Sequence, residues 1–395
     1  MMNVKRVLIV HNYYQVSGGE DIVVSNEKKM LEDNGHKVIV YSRNNSEIKK
    51  MDKFQKLCLL STVVFSIKTY REVKKIIKAK DIDIVHVHNT LSLISPSVYY
   101  AAISCNVPVI QTIHNFRLLC PGATFYRDGV ICEDCVTKGL KCAVKHKCYR
   151  GSRVQTLACI VILTAHRLLG IYKKINYICL TDFNKKKLLQ LNSDGKNRID
   201  ESKVFVKPNF VNTYKRIIPY ELRSQQFVFV GRLDKLKGIG LLLEAWKEIK
   251  DFDLIICGVG PEENWCRKFI EKNGMTNVNM MGHIPNTQVM DIIAKSKALI
   301  LPTRWYEGFP MTIVESWGVG TPVIGSNIGN VGNLIKSGIN GFKFEFDSVE
   351  SLQKVIRQKY NVSIDELIKY KLYYSAANNY KQLFMIYNKI QNKVE

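Results

Sequence analysis

Several absences frame this 395-residue chain. No apolar run reaches the ~20 residues a membrane-spanning helix needs; the longest, at 57–67 and 157–163, stop well short. The apolar stretch 7–10 is too brief for a signal-peptide core and has no small-residue cleavage site, so cytoplasmic synthesis without export is expected. Lacking that signal, the eleven cysteines read as thiols or metal ligands and not as a disulfide framework. No Asp-x-Asp pair follows a strand. Asp251 and Asp253 have the spacing but precede the apolar run 254–257, at the wrong end of a parallel sheet to hold a cation over its cleft. Acid is also scarce, with 58 Lys+Arg against 35 Asp+Glu, a net charge of +23. Residues 1–212 carry 34 basic against 17 acidic side chains, and 213–395 carry 24 against 18. That asymmetry suits an anionic partner, or is simply a solvated Lys-rich surface.

What is present is the balance of a folded protein, 46% hydrophobic and 24% charged. The length suits two cored domains. Near-continuous apolar runs at 6–10, 37–41, 84–88, 109–113 and 177–180 read as buried parallel strands, with helices at 20–34, 66–80 and 185–192. A second alternation places strands at 227–230, 254–257, 298–301 and 322–324, and helices at 240–249, 262–273, 287–295 and 312–317. The fold class is therefore α/β, with two Rossmann-like domains and ligands expected in the cleft at the strands' carboxyl ends. The expected division is an N-terminal domain over 1–206 with a Cys-rich insertion at 120–148, and a linker over 207–220 around Pro208. A C-terminal domain follows over 221–362, then a helical segment over 363–395 that packs back toward the first domain.

Two constellations carry chemistry. Glu307-Gly308-Phe309-Pro310-Met311 through Glu315 follows the run LILP, so a strand-to-helix junction sets one carboxylate in a loop and another two turns along the helix. Backbone N–H groups there sit at the positive end of a helix, an anion or hydroxyl site, and the carboxylates suit sugar and ribose hydroxyls. The plainer reading is a capped helix with two solvated acids. Gly231-Arg232-Leu233-Asp234-Lys235-Leu236-Lys237-Gly238 sets a fork-shaped guanidinium and an ammonium five residues apart at another strand end, which fits a diphosphate. Surface Arg and Lys on a loop is its plainer reading, weakened once the two motifs occur together.

With these motifs the chain resembles glycosyltransferase family 4, retaining enzymes of the two-domain GT-B fold. The matching blocks are GRLDKLKG at 231–238, ICGVGPE at 256–262, GHIP at 282–285, EGFPMTIVE at 307–315 and Gly320-Thr321-Pro322-Val323. The first half adds Gly18-Gly19, GHKVIVY at 35–41, DIVHVHN at 83–89 and HNFR at 114–117, so the resemblance spans essentially the whole chain. It implies that Arg232 and Lys237 neutralise the donor diphosphate, Glu315 holds the ribose, and Glu307 with Gly308, Phe309 and Pro310 meets the donor sugar. Gly231 belongs with the donor-binding set. Gly260 and Ile284 enclose the base, His114 sits near the anomeric centre, and Gly18 and Gly19 approach phosphate or acceptor. Here the family's Gly-Gly-x-Glu is Gly18-Gly19-Glu20-Asp21, which leaves the role of that acid open.

The implied reaction moves a sugar from a UDP- or GDP-linked donor to a glycan acceptor, lipid-linked if the basic half docks on a membrane, in bacterial surface polysaccharide assembly. No catalytic metal is expected. Alternatives are a non-catalytic nucleotide-sugar or carbohydrate-binding subunit, or an epimerase of the same fold. Cys132-x2-Cys135 has zinc-chelate spacing, and Cys120 and Cys148 complete a structural zinc set; free thiols are the alternative. Cys142 is left out because the spacing to Cys148 better matches related chains. Lys68, Arg71, Lys74, Lys75 and Lys78, interleaved with Ile67, Tyr70, Val73 and Ile77, make a basic amphipathic helix for peripheral docking on an anionic leaflet, or a solvated face. No nucleic-acid recognition motif is evident.

Overall fold

The computed structural model describes residues 4–15, 18–194, 199–211, 217–360 and 362–392. They form two compact units, one of Met1–Phe125, Cys132–Pro208 and Asn379–Glu395, the other of Tyr126–Ile131 and Asn209–Asn378.

The first unit is built on β1 (Arg6–Tyr13), β2 (Lys37–Asn44), β3 (Ile84–Asn89) and β4 (Val109–Ile113). The short strands β5 (Tyr126–Arg127) and β6 (Val130–Ile131), which belong to the second unit, pair only with each other, and β7 (Asn176–Cys179) and β8 (Val204–Val206) complete the first unit's sheet. Its order is β2-β1-β3-β4-β7-β8, parallel throughout. Val7, Leu8, Ile9 and Val10 of β1 are fully buried, as a central strand covered on both faces requires.

The second unit repeats the plan with β9 (Gln226–Val230), β10 (Asp253–Cys257), β11 (Val278–Gly282), β12 (Ala298–Leu301), β13 (Val323–Ser326) and β14 (Gly341–Phe344). The order is β11-β10-β9-β12-β13-β14, again all parallel. Trp246, Phe227, Phe229 and Phe344 fill its core.

The sequence reading did not find β8, β11 and β14. All three are edge strands; half-covered strands such as β11 alternate exposed and partly buried positions in place of a continuous apolar run. The helical segment expected at 363–391 is two helices, Ile364–Tyr373 and Ala376–Gln391, interrupted where the Val211 N–H donates to the Tyr374 carbonyl (3.1 Å). From Asn379 onward the second helix belongs to the first unit, where the Lys207 ammonium donates to Asn379 (2.9 Å) and Tyr387 meets His86 (2.7 Å). Among the described residues no helix is long and apolar enough to cross a membrane.

Candidate active site

Loops converge above a parallel sheet at the carboxyl ends of its strands, where neighbouring strands send their connections in opposite directions. In the second unit that place lies between β9 and β12. The loop after β9 carries Gly231 to Gly238 and the loop after β12 carries Pro302 to Pro310, so topology alone brings the two motifs side by side. The Arg304 N–H donates to the Leu236 carbonyl at 2.8 Å. A Cβ on Gly238 (φ +74) would lie 1.8 Å from the Pro302 oxygen, and one on Gly258 (φ +142) 1.9 Å from the Gly231 oxygen. At Gly260 a Cβ would meet the Leu233 oxygen at 2.3 Å. Backbone-to-backbone packing therefore explains these glycines whether or not they touch a nucleotide.

Each cation is paired with a carboxylate. The Arg232 Nε donates to Asp234 (2.7 Å) while two-thirds of its side chain stays exposed, its terminal nitrogens having no other partner among the described residues. Lys237 Nζ donates to Glu307 Oε1 at 2.7 Å. Glu307 is buried, and the same oxygen also accepts from Thr303 Oγ1 and Trp305 Nε1, both at 3.0 Å. Asp234 accepts the Lys237 N–H (2.9 Å), capping the 3-10 turn Lys235–Lys237 that presents the ammonium. The Asn330 amide clamps the carbonyls of Glu307 and Gly308 at 2.6 and 2.8 Å. Phe309, buried against Tyr374, and Pro310 lead into the helix Met311–Gly318. On that helix burial pushes the Glu315 carboxyl up, offset by a hydrogen bond from Asn286, two residues beyond half-buried Ile284. The donor-binding candidates of this unit thus lie on loops that follow its strands and, for Glu315, on the helix Met311–Gly318. Of the partners, Asp234 stands inside the 231–238 block, where no role was read for it; Thr303, Trp305, Asn330 and Asn286 arrive through tertiary packing.

In the first unit the corresponding place lies between β1 and β3. Gly18 caps the helix Gly19–Asp33, with its N–H donating to Asp21 (3.0 Å); a Cβ on Gly18 or Gly19 would meet nothing within 4 Å, so this backbone is open to close approach. Asp21 also meets His11 at 2.7 Å, and Glu20 accepts from the Tyr14 hydroxyl at 2.9 Å. The neighbouring Val16 and Ser17 lie outside the described residues.

Burial pushes the Glu20 carboxyl up to about 8, so the folded chain binds a proton there that the unfolded chain releases near pH 4.5. Between those values the native state holds more protons, and stability falls as pH rises. Glu20→Gln should therefore gain stability relative to wild type between pH 5 and pH 8.5, by up to a few kcal/mol in chemical denaturation. Parallel pH profiles of the two proteins would refute the assignment.

His114 follows β4 and lines a cavity with Asn89, Gln111, Arg117 and Tyr172. Its Nε2 lies 2.9 Å from His88 Nδ1 with the rings stacked. Burial, and then His88, hold His114 well below the ordinary histidine value; burial and His86 push His88 down to about 4. Both rings are thus held in the neutral form near pH 7. Arg117, of the HNFR block, donates to the Pro121 carbonyl (3.0 Å) and covers the Tyr149 ring.

Among the described residues one group of three potential metal ligands has its donor atoms mutually within 4.8 Å: Glu27, His86 and His88. Its members already face one another and their neighbours: Glu27 Oε1 lies 2.9 Å from His86 Nδ1 and 3.3 Å from His88 Nε2, Glu27 pairs with the buried Lys207 (3.2 Å), and the two nitrogens of His86 meet Tyr387 and Thr112. The candidate zinc ligands Cys120, Cys132, Cys135 and Cys148 lie together in the first unit, with Cys120 and Cys135 in direct contact.

The family described as Glycosyltransferase Family 4 matches residues 17–129, and that described as Glycosyl transferases group 1 matches 211–368, between them more than half of the chain. An uncharacterized glycosyltransferase of Methanocaldococcus jannaschii, MJ1178, is 25% identical over 366 residues, covering 91% of this chain and 90% of its own. A UDP-Gal:alpha-D-GlcNAc-diphosphoundecaprenol alpha-1,3-galactosyltransferase of Escherichia coli is 24% identical over 318 residues, covering 75% and 70%. The solved structure of the lipopolysaccharide outer core galactosyltransferase WaaB superposes with a TM-score of 0.65 at 16% identity, over 98% of this chain and 99% of that one. A glycosyltransferase model on each half, a glycosyltransferase relative matched over 91% of the chain and two six-stranded parallel sheets place this chain among the glycosyltransferases of GT-B fold.

Proposed function

We propose that this glycosyltransferase moves a hexose, with retention, from a UDP- or GDP-linked donor to a glycan acceptor carried on a lipid, during assembly of a bacterial surface polysaccharide. The observation that carries the reading is the pair of ion pairs at the β9/β12 switch point, Arg232 with Asp234 and Lys237 with Glu307. As the sugar leaves, negative charge develops on the diphosphate. Cations already oriented by buried carboxylates stabilise it without reorganising, which is where most electrostatic catalysis arises. The leaving phosphate then serves as the base for same-face attack, and no protein nucleophile is needed. Glu307 and the Gly308 and Phe309 backbone hold the donor sugar, Glu315 the ribose, and the Ile284 loop the base. Neutral His114 hydrogen-bonds the sugar, and Gly18 and Gly19 approach phosphate or acceptor.

Two cations at the diphosphate do the work a divalent metal does in other transferases, so no catalytic metal is required and brief EDTA treatment should leave the initial rate unchanged. The E. coli relative's name supports a UDP-linked donor and a diphosphate-lipid acceptor. The direct test is a thermal-shift screen of UDP-, GDP- and ADP-sugars on wild type and Arg232→Ala. One nucleotide should stabilise the wild type and much less the variant; equal shifts in both would remove the phosphate role.

Peripheral docking on an anionic leaflet belongs to the same reading. In Ile67–Ala79 the residues Val73 and Ile77 are buried in the core, while Ile67 stays exposed beside the charged face. Further exposed apolar side chains lie on helices Lys53–Thr62 and Arg153–Leu168, where Phe54 is 73% exposed and Leu157 and Val161 also stand out. Both helices line one cavity, and Lys53, Lys56, Arg150 and Arg153 are exposed around them. Phe54→Ser with Leu157→Ser should weaken cosedimentation with anionic vesicles at least tenfold; unaltered binding would discard this face.

A further inference from the structure

The stretch 114–152, between β4 and the helix Arg153–Leu168, has little that ordinarily holds a fold. It contains the two-residue strands β5 and β6 and helices of four and five residues, Asp134–Thr137 and Lys141–Lys145. Five of the nine described non-glycine residues with positive φ fall in it: Ala123, Phe125, Asp128, Lys147 and Arg150. Backbone of this kind persists only where its surroundings over-determine it, and so small a region buries too little apolar surface to do that alone.

Four thiols converge there. Cys120 Sγ lies against Cys135 and near the backbone of Gly122, Thr124 and Phe125. Cys132 and Cys148 join Cys120 as the charged neighbours of Cys135. A Cβ on Gly122 would lie 3.7 Å from Cys120 Sγ and 3.6 Å from Cys148 Cβ, so the Cys120 loop and the Cys148 turn stand one side chain apart. The Cys132 N–H is fixed on the Phe125 carbonyl at 2.8 Å, and the Cys148 N–H on that of Ala143 at 3.1 Å. Cys142 lies on the helix Lys141–Lys145.

We propose that Cys120, Cys132, Cys135 and Cys148 bind one zinc ion as a closed four-thiolate site that holds this insertion in shape. Thiolates in a tetrahedral set select zinc, and the Cys132-x2-Cys135 spacing forms the chelate loop. The sulfurs are drawn together less tightly than the donor atoms of Glu27, His86 and His88, and an ion would close them onto bonds of about 2.3 Å. The role is structural and independent of the transfer reaction.

Elemental analysis of the full chain, purified without chelator, should find about one zinc per molecule, lost in Cys135→Ser and Cys148→Ser and kept in Cys142→Ser. Where those serine variants do not fold, the wild type suffices: a thiol-reactive mercurial should release the zinc in step with four thiols, and cobalt in its place should give sulfur-to-metal charge-transfer bands. A metal-free wild type, iron in place of zinc, or loss of the ion from Cys142→Ser would overturn the assignment. Donor binding measured by thermal shift on the same samples keeps this outcome separate from the proposed reaction.

Discussion

Arg232→Ala should lower kcat by about 10²–10³-fold, roughly 3–4 kcal/mol of transition-state stabilisation, and Lys237→Ala by a similar factor. The expectation rests on more than the loss of a cation. Asp234 and Glu307 are both largely buried, and each loses its counter-charge when its partner is truncated, so a carboxylate is left facing the incoming diphosphate. Repulsion adds to the missing attraction. Arg232→Lys should recover only part of the rate, because a point charge cannot reproduce the planar two-point contact of a guanidinium. Initial rates at saturating donor decide it: a change confined to the acceptor KM would mean that neither residue acts on the leaving group.

Gly258→Ala should cost about 3 kcal/mol or more in chemical denaturation of the second unit. At φ +142 a side chain is strained, and its Cβ would stand 1.9 Å from the Gly231 carbonyl oxygen. That neighbour is backbone, so no rotamer change relieves the overlap. Gly274 is the control: it also has positive φ, +56, but a Cβ there meets nothing within 4 Å, and Gly274→Ala should cost only about 1–2 kcal/mol. Equal losses at the two positions would show that strain alone, and not the approach of the two loops, requires glycine at 258.

The contrast between these glycines shows what could be read in advance. Central strands such as β1 and β12, buried on both faces, appear in the sequence as unbroken apolar runs, whereas the edge strands β8, β11 and β14 do not. At the site, the spacing of Arg232, Lys237, Glu307 and Glu315 was legible because each follows a strand end by a fixed number of residues. The clamp from Asn330 and the donors Thr303 and Trp305 were not, since they meet Glu307 only after folding. For the basic helix the sequence leaves two readings open, because whether an apolar face is covered depends on neighbouring elements, which bury Val73 and Ile77 and leave Ile67, Phe54 and Leu157 outside.

The central claim is that Arg232 and Lys237 take up the charge of the departing nucleotide diphosphate. A crystal of this chain soaked with the nucleoside diphosphate that stabilises it most tests this directly. The account predicts both phosphates within hydrogen-bond distance of the Arg232 terminal nitrogens and Lys237 Nζ, above the ends of β9 and β12. A diphosphate bound elsewhere, with those two side chains turned to solvent, would contradict it.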